Sequence, residues 1–514
     1  MSRLTPGADA DRLTSGIVLA RSTLLSLLGQ AVPVPVALVA IPLLIEGVGT
    51  DRFGVLTLAW ALIGYLGLLD LGIGRALTKL VAEKLGEGQE RQVPVLVWTS
   101  LLLMLVLGLV GMGALLLLSP WAVHRALNIP APLREEALGA FYLLAIAIPF
   151  VTGSAGLRGV LEARQRFDLV NAIRIPMGVY TFAAPLVVMH WSKGLVALVG
   201  ALVVGRIVGW VAHLFLCMRS VPGLAAAPVV SRGVVGPLVR FGSWLTVNGV
   251  VGPLMLTMDR FVIGAMVSTT AVAFYATPYE VVTKMWLFTG ALSGVVFPAF
   301  ATSFVRDRVR MSKLFDRAVF SLVVVLLPLS LVVVLFARNG LDLWLGQRFA
   351  LESFRVAQLL AIGVFVLGVG SVPCVLLQGV GRPDLPAKLN LLELPVYLVA
   401  LVCLLKGYGI AGAALVWTAR GLVDVFVLFW MSRRFLVNGA RTVMRAGAAA
   451  ALSTCILAGA TIPVATAPKT GYLVATLTLF GLGLWYWMFG SEDRAFFGRG
   501  LRVLGFWAPD AERR

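Results

Sequence analysis

Apolar residues run along this chain in blocks of roughly 20–30, each long enough to cross a hydrocarbon core of about 30 Å as a helix. Short polar, charged or glycine-containing intervals separate them. About fourteen blocks lie near 22–45, 53–76, 93–119, 137–160, 167–190, 194–218, 241–267, 272–302, 316–337, 356–380, 386–405, 409–432, 444–464 and 470–489. Several carry proline inside: Pro33, Pro35 and Pro42 in the first, Pro176 in the fifth, Pro253 in the seventh and Pro395 in the eleventh. Proline removes a backbone donor and kinks a helix, which membrane helices tolerate where neighbours re-satisfy the freed carbonyl. Short alternating segments of the kind that build an outer-membrane barrel do not dominate. The pattern predicts an all-α polytopic membrane protein with about 14 transmembrane helices.

Composition agrees. Of 514 residues, 59% are hydrophobic and 13% charged, with a mean hydropathy of +0.93, against about 25% charged residues in a soluble domain. The first fifteen residues, MSRLTPGADADRLTS, are polar, so a cleavable signal peptide is not expected. Cys217, Cys374, Cys403 and Cys455 all sit in apolar stretches, and His124, His190 and His213 are scattered. No disulfide framework and no metal site are expected. Catalytic constellations and phosphate-cradling loops are equally absent from the sequence. The chain reads as a non-enzyme without a cofactor, and with no nucleotide-binding domain to use ATP directly.

Lysine and arginine orient the spans. With the N-terminus in the cytoplasm, about 27 of the 43 basic residues fall in cytoplasmic loops and tails, a strong positive-inside bias. RDRVRMSKLFDR (306–317) and RRFLVNGARTVMR (433–445) are the richest of these loops. The net charge of +18 is thus mostly topology, and nucleic-acid binding, which needs a solvated basic domain, is not expected. Both termini are expected in the cytoplasm. The run GVGTDRFG (47–54) is similar to a cytoplasmic loop of major-facilitator transporters, but here it joins the first two spans on the outer face. It is expected to be a tight turn made by Gly and Asp.

The chain repeats itself. YLLAI (142–146) returns as QLLAI (358–362), and LEARQRFD (161–168) as LQGVGRPD (377–384), both at an offset of 216 residues. Tyr180 is matched by Tyr397, Gly194-Leu195 by Gly409-Ile410 and Arg206 by Arg420 at nearly the same offset. The repeat holds six spans, an even number. Two six-helix bundles therefore enter the membrane in the same direction, related by a pseudo-two-fold along the membrane normal, with two further helices appended. The expected organisation is a cytoplasmic tail (1–20), a first bundle (21–218), a cytoplasmic linker (219–240), a second bundle (241–433), two additional spans (434–489) and a cytoplasmic tail (490–514). Substrate sites in such proteins lie near the midplane where the repeats face each other.

GVGTDRFGVLTL leading into GLLDLGIGRALTKLVAEK (67–84), and TMDRFVIGAMVSTTAVAFYATPYEV (257–281) followed by Phe297-Pro298, resemble the polysaccharide-transporter branch of the multidrug/oligosaccharidyl-lipid/polysaccharide (MOP) exporter superfamily, which includes O-antigen flippases. The likeness extends over most of residues 20–435. It implies an inner-membrane flippase that moves undecaprenyl-diphosphate-linked oligosaccharides from the inner to the outer leaflet by alternating access. With no nucleotide-binding domain, the expected drive is the membrane potential or an ion gradient, H+ or Na+, acting through intramembrane carboxylates, and polysaccharide polymerase machinery is an expected neighbour. The alternative within the superfamily is a drug or small-metabolite exporter. A membrane polymerase or ligase would need a large charged outer loop, which the modest connections near 120–136 and 338–355 do not provide.

Charges inside the spans carry the site expectations. Arg75, Arg158, Arg174, Arg206, Arg260, Lys284 and Arg420 all fall within predicted helices. Facing lipid, they would cost on the order of 20 kcal/mol together. Arg75 and Arg158, near span ends, can snorkel; the deeper ones need carboxylates or a hydrated cavity. Guanidinium forks match diphosphate oxygens, so Arg174, Arg206, Arg260 and Lys284 are the candidate substrate residues, with Gln30 and Asn248 at near-equivalent repeat positions, both of which suit span packing equally. Arg206 has an alternative role as partner to a carboxylate on another helix. Glu280–Lys284, four residues apart, suits a structural pair as well as a functional one, and Arg420–Asp424 is expected to neutralise itself. Asp70, Asp259 and Glu280 are the candidate coupling carboxylates; Asp70 enters through the resemblance, as the aspartate of Leu-Asp-Leu-Gly, and suits a structural role at a helix end equally. Asp70, Asp259 and Glu393 show no local partner.

Overall fold

A computed structural model describes residues 32–66, 72–226, 255–462 and 466–483, with a few positions between 229 and 236. Expectations for Gln30, Asp70, Asn248 and both tails lie outside these residues. The described residues contain helices and turns and no strand.

The first bundle comprises α1 (Pro33–Val48), α2 (Thr50–Leu66), α3 (Ile73–Gly86), α4 (Val93–Trp121), α5 (Arg134–Ala163), α6 (Phe167–Val188) and α7 (Leu195–Ser220). The second comprises α8 (255–266), α9 (Thr269–Val282), α10 (Trp286–Arg306), α11 (Arg308–Leu345), α12 (Gln347–Gly379) and α13 (Asp384–Ser432). Two further helices, α14 (Gly439–Gly459) and α15 (Thr466–Gly483), follow, and both pack on α11. Among the described residues, nine helices are long and apolar enough to cross a membrane.

Several spans are composite. The second is α2 followed by α3, with Gly72 at φ 71° opening the latter. It overruns its apolar block as far as Gly86, since Lys79 and Glu83 pair at 3.4 Å on an exposed face that needs no lipid. The eighth span is α9 and α10, joined by a 3₁₀ turn at Thr283–Met285. The eleventh and twelfth form α13, one continuous stretch reversed at Gly409 (φ 59°, ψ −149°), a conformation open essentially to glycine.

The duplication is written in the backbone. After α5, Gln165 adopts φ 56°; after α12, Gly381 adopts φ 80°, 216 positions later. Arg166 N–H then bonds the Leu161 carbonyl at 2.9 Å, and Arg382 N–H the Leu377 carbonyl at 2.8 Å. Both are the six-to-one closure of a left-handed helix cap. In both copies the arginine then forks onto the aspartate two residues on: Arg166 to Asp168 at 3.0 and 2.9 Å, and Arg382 to Asp384 at 2.9 and 3.1 Å.

One face of the molecule carries the basic runs 306–317 and 433–445; the other, where α1 meets α2, is sparser in lysine and arginine. The two bundles touch at this sparse face. The GVGTDRFG run is here, and its turn differs from expectation. Gly49 alone breaks the chain (φ 85°, ψ 156°), and the aspartate faces the other bundle. Asp51 accepts a hydrogen bond from the Thr270 hydroxyl at the start of α9. Arg52 forks onto Glu136 of α5 at 3.1 and 2.8 Å, and Glu136 also accepts the Leu195 N–H of α7 at 3.1 Å. Gly54 lies so close to the Thr269 carbonyl that a Cβ would overlap it.

Candidate functional site

The second bundle encloses a network of charge. Asp259 and Arg260, on α8, are buried. Asp259 accepts the Tyr275 hydroxyl of α9 and, at 2.9 Å, the Arg260 backbone N–H. Arg260 Nη2 donates to Glu280 Oε1 at 2.9 Å, and Lys284 Nζ to the other oxygen of Glu280 at 3.4 Å. The Arg260 guanidinium also stacks 4.7 Å over the Tyr279 ring, an attraction that strengthens when water is excluded. Side-chain exposure grades outward: 3% at Arg260, 26% at Glu280 and 40% at Lys284. Lys284 is therefore the member of this chain of ions with its charge in accessible space. It sits in the 3₁₀ turn between α9 and α10, none of whose residues is fully buried.

A second group lies on α13. Arg420 pairs with Glu393 at 3.5 Å, their side chains 8% and 9% exposed. The expected self-contained Arg420–Asp424 pair is thus corrected: the reversal at Gly409 folds Glu393 back against Arg420. Sequence neighbours could not reveal this, because the contact spans 27 residues. Asp424 and Arg420 together line a cavity of about 390 Å³ whose walls include Leu256, Thr289, Ser371 and Asn390. Arg420 Nε, Glu393 Oε1 and Ser371 Oγ are buried with no hydrogen-bond partner among the described residues.

The first bundle is different. Val204, Val208, Val211 and Phe215 form the exposed stripe of α7. Arg206 lies two residues from both Val204 and Val208, so about 200° round the helix at 3.6 residues per turn, on the side opposite that stripe. It is half-buried and has neither ion pair nor hydrogen bond among the described residues. Its repeat mate Arg420 has carboxylates on both sides. Glu393 stands four positions before Tyr397; four before Tyr180 stands Pro176. Asp424 stands four after Arg420; four after Arg206 stands Trp210. Arg174, on α6, is exposed, within electrostatic reach of Arg158 and Glu162.

The contact between bundles was not among the sequence expectations. Besides Asp51–Thr270 and Gly54–Thr269, Asn128 before α5 caps the end of α8. Its N–H bonds the Gly264 carbonyl and its amide the Ala265 carbonyl, both at 2.8 Å. Trp344 of α11 donates to the Leu38 carbonyl of α1 at 2.7 Å. α2 and α9 pack extensively; α3 and α10, their continuations toward the basic face, show no comparable contact. Only the small residue Gly54, with polar Asp51 close by, hinted at this in the sequence.

Two helical bundles in contact at one end, with charged residues on interior helices, share their fold with solved transporters of the MOP superfamily. A solved structure described as an inward-facing conformation of a multidrug resistance MATE family transporter of that superfamily is 14% identical. It matches with a TM-score of 0.68, over 84% of this chain and 98% of that one. An outward-facing conformation from the same family matches at 0.61. The family model described as polysaccharide biosynthesis protein matches residues 19–304, and this chain belongs to that family. The chain is 27% identical to a putative O-antigen transporter of Shigella flexneri, over 80% of this chain and 97% of that protein. It is 24% identical to the lipopolysaccharide biosynthesis protein WzxC of Escherichia coli K12, over 73% of each. It is 22% identical to a probable low-salt glycan biosynthesis flippase, Agl15, of Haloferax volcanii, over 71% of this chain and 73% of that protein.

Proposed function

We propose that this protein is a flippase that carries an undecaprenyl-diphosphate-linked oligosaccharide across the cell's inner membrane for polysaccharide export. The names of its relatives support the substrate class, and Arg206 is the observation that carries the reading. A half-buried guanidinium on the side of α7 opposite its exposed stripe, with its repeat mate paired and itself without a partner among the described residues, suits an anionic group brought in by the substrate. The diphosphate supplies the charge and the acceptor oxygens that a guanidinium fork matches. Arg174 and Lys284, both with accessible charge, add to the same field. Arg260 is committed to Glu280 and acts by holding Glu280 and Lys284 in place.

The basic face is assigned to the cytoplasm, which puts both termini there. The contacts at the sparse face then close the outer side, and the space between the bundles opens inward. Residues 21–218 and 241–433 move as two bodies, and rocking between them exposes the site to either leaflet. The drive is an ion gradient or the membrane potential, in which one charge moved through 100 mV is worth about 2.3 kcal/mol. Asp259 and Glu280 belong to the network through which such a drive acts. The reading needs no catalytic step and no cofactor.

The test is reconstitution in liposomes with a fluorescent or radiolabelled lipid-linked oligosaccharide. Flipping is read by the fraction open to a membrane-impermeant glycosidase. Wild-type protein is expected to accelerate flipping, and undecaprenyl phosphate lacking the second phosphate is expected to compete poorly. No acceleration over empty liposomes would overturn the reading.

A further inference from the structure

Between Asp424 and Glu492 the sequence holds no carboxylate, yet it holds Arg433, Arg434, Arg441 and Arg445 where α13 ends and α14 begins. All four are exposed, and none forms an ion pair among the described residues. Other turns on the basic face neutralise their cations. Lys84 meets Glu87 at 2.9 Å, Arg166 meets Asp168 at 2.9 Å, and Arg382 and Lys388 share Asp384 at 2.9 and 3.1 Å. Two acids of the neighbouring α11 leave the surplus standing. Asp307 caps that helix by accepting the Arg310 N–H at 2.9 Å, and Asp316, within electrostatic reach of Arg445, is one charge against four. The α13–α14 turn is itself tightly built. Val437 N–H donates to the Ser312 hydroxyl of α11 at 2.9 Å, the Phe435 ring meets Phe304 of α10 edge-on at 6.3 Å, and Leu436 is buried. Gly439 closes so closely on the Arg433 carbonyl that a Cβ would overlap it. Both guanidinium groups at the start of the turn lie over the exposed Trp430 ring, Arg433 at 4.8 Å and Arg434 at 5.4 Å. Trp430 ends a stripe of exposed apolar residues on α13, Leu422, Phe426 and Trp430, four positions apart. On a spanning helix such a stripe faces hydrocarbon, and a tryptophan at its end marks the headgroup level.

We infer that the α13–α14 turn holds a resident anionic phospholipid, its phosphate on Arg433 and Arg434 and an acyl chain along the Leu422–Phe426–Trp430 stripe. A guanidinium stacked on an indole keeps its N–H edge free, and that fork matches phosphate oxygens. Stacking also fixes the two side chains before the lipid arrives, so less freedom is lost on binding. Arg441 and Arg445, four apart on one face of α14, extend the same field, and Arg445 is steadied 5.6 Å over the Phe320 ring of α11. A headgroup with two phosphates therefore binds more tightly than one with a single phosphate. Phosphatidylethanolamine brings its own ammonium, which the surplus of arginine repels. The residues involved all belong to the second bundle and its following helix, away from the contact between bundles. The bound lipid is thus distinct from any cargo that passes between the bundles.

This inference goes beyond the flippase reading and stands or falls without it. The test uses full-length protein, stripped of lipid in a neutral detergent, with thermal unfolding followed as phospholipid is added. Phosphatidylglycerol and, at lower concentration, cardiolipin are expected to raise the melting temperature; phosphatidylethanolamine and phosphatidylcholine are not. In Arg433→Gln/Arg434→Gln the concentration needed is expected to rise about thirtyfold, about 2 kcal/mol for two charges at the membrane surface. Both positions are exposed, so the variant should fold, which gel filtration checks. Trp430→Leu removes the platform without touching the charge and is expected to weaken the response as well. Lys388→Gln, which removes a paired cation from the same face, is expected to respond as wild type does. The second measurement is mass spectrometry of the intact protein released from micelles, which counts retained phospholipids. Fewer anionic lipids are expected on the double arginine variant than on wild type. An unchanged response and lipid count in Arg433→Gln/Arg434→Gln, or an equal loss in Lys388→Gln, would mean diffuse attraction and overturn the site. So would displacement of the retained phospholipid by an equimolar lipid-linked oligosaccharide, which would make the patch a cargo site.

Discussion

Arg206 and Arg420 show how far a residue's meaning depends on its surroundings. They occupy matching places in the two repeats, yet one has Glu393 and Asp424 beside it and the other has Pro176 and Trp210 at the corresponding positions. Substituting them should separate stability from transport. Arg206→Met removes a charge with no described partner, so thermal unfolding in detergent should be unchanged or slightly raised. Transport should fall about tenfold or more, the worth of lost hydrogen bonds to a charged group at about 1.5–3 kcal/mol. Arg420→Met strands buried carboxylates, a loss of about 3–5 kcal/mol, and the melting temperature should drop with activity following it. Equal loss of stability in both variants would remove the distinction on which the Arg206 assignment rests. The sequence placed both arginines in the membrane and matched them to each other. It could not tell which was paired, because Glu393 reaches Arg420 only through the chain reversal at Gly409.

Helices were legible at the scale of elements because lipid imposes one rule on all of them, a long apolar run with its backbone bonded internally. Their junctions were less so. At the ends of α5 and α12 the same cap is built on Gln165 in one copy and Gly381 in the other. A left-handed residue other than glycine costs roughly 1–2 kcal/mol. Gly381→Gln should therefore lower stability by about 1 kcal/mol, and Gln165→Gly should cost nothing or gain, as followed by thermal unfolding. The opposite order would mean that the side chain of Gln165 earns its place by contacts the backbone does not reveal. At the α1–α2 junction a turn was read correctly, but Asp51 was assigned to it because short polar residues favour turns. The structure spends Asp51 on Thr270 instead. Gly54 matters for the same contact: a methyl group there meets backbone, which cannot swing aside. Gly54→Ala should push α2 from α9 and favour molecules open at the sparse face. In a background without the four native cysteines, Thr270→Cys should then react faster with a membrane-impermeant maleimide from outside the cell. An unchanged rate would show that the helices absorb the methyl group without parting.

For the whole molecule, the duplication decides what can move. Each bundle is tied internally by long helix pairs, α4 with α5 and α5 with α7 in one, α11 with α12 and α12 with α13 in the other. Between them the named hydrogen bonds are few: Asp51–Thr270, the two from Asn128 to the end of α8, and Trp344–Leu38. Hydrogen bonds of this kind contribute about 0.5–1.5 kcal/mol each, on top of the apolar packing of α2 on α9. The two-bundle fold was legible from an even-numbered repeat; the contact between the bundles was not, since it rests on side chains 137 to 306 positions apart. Cross-linking provides the decisive check. With cysteine placed at both Asp51 and Thr270 in a cysteine-free background, a short bismaleimide should join α2 to α9 and stop net flipping in liposomes. Either single variant treated alike should keep its activity, and a long flexible linker between the same positions should restore part of the flux. If the tightly joined protein still flips lipid-linked sugar at the uncross-linked rate, the sparse-face contact is not a gate, and passage must occur without the two bundles parting there.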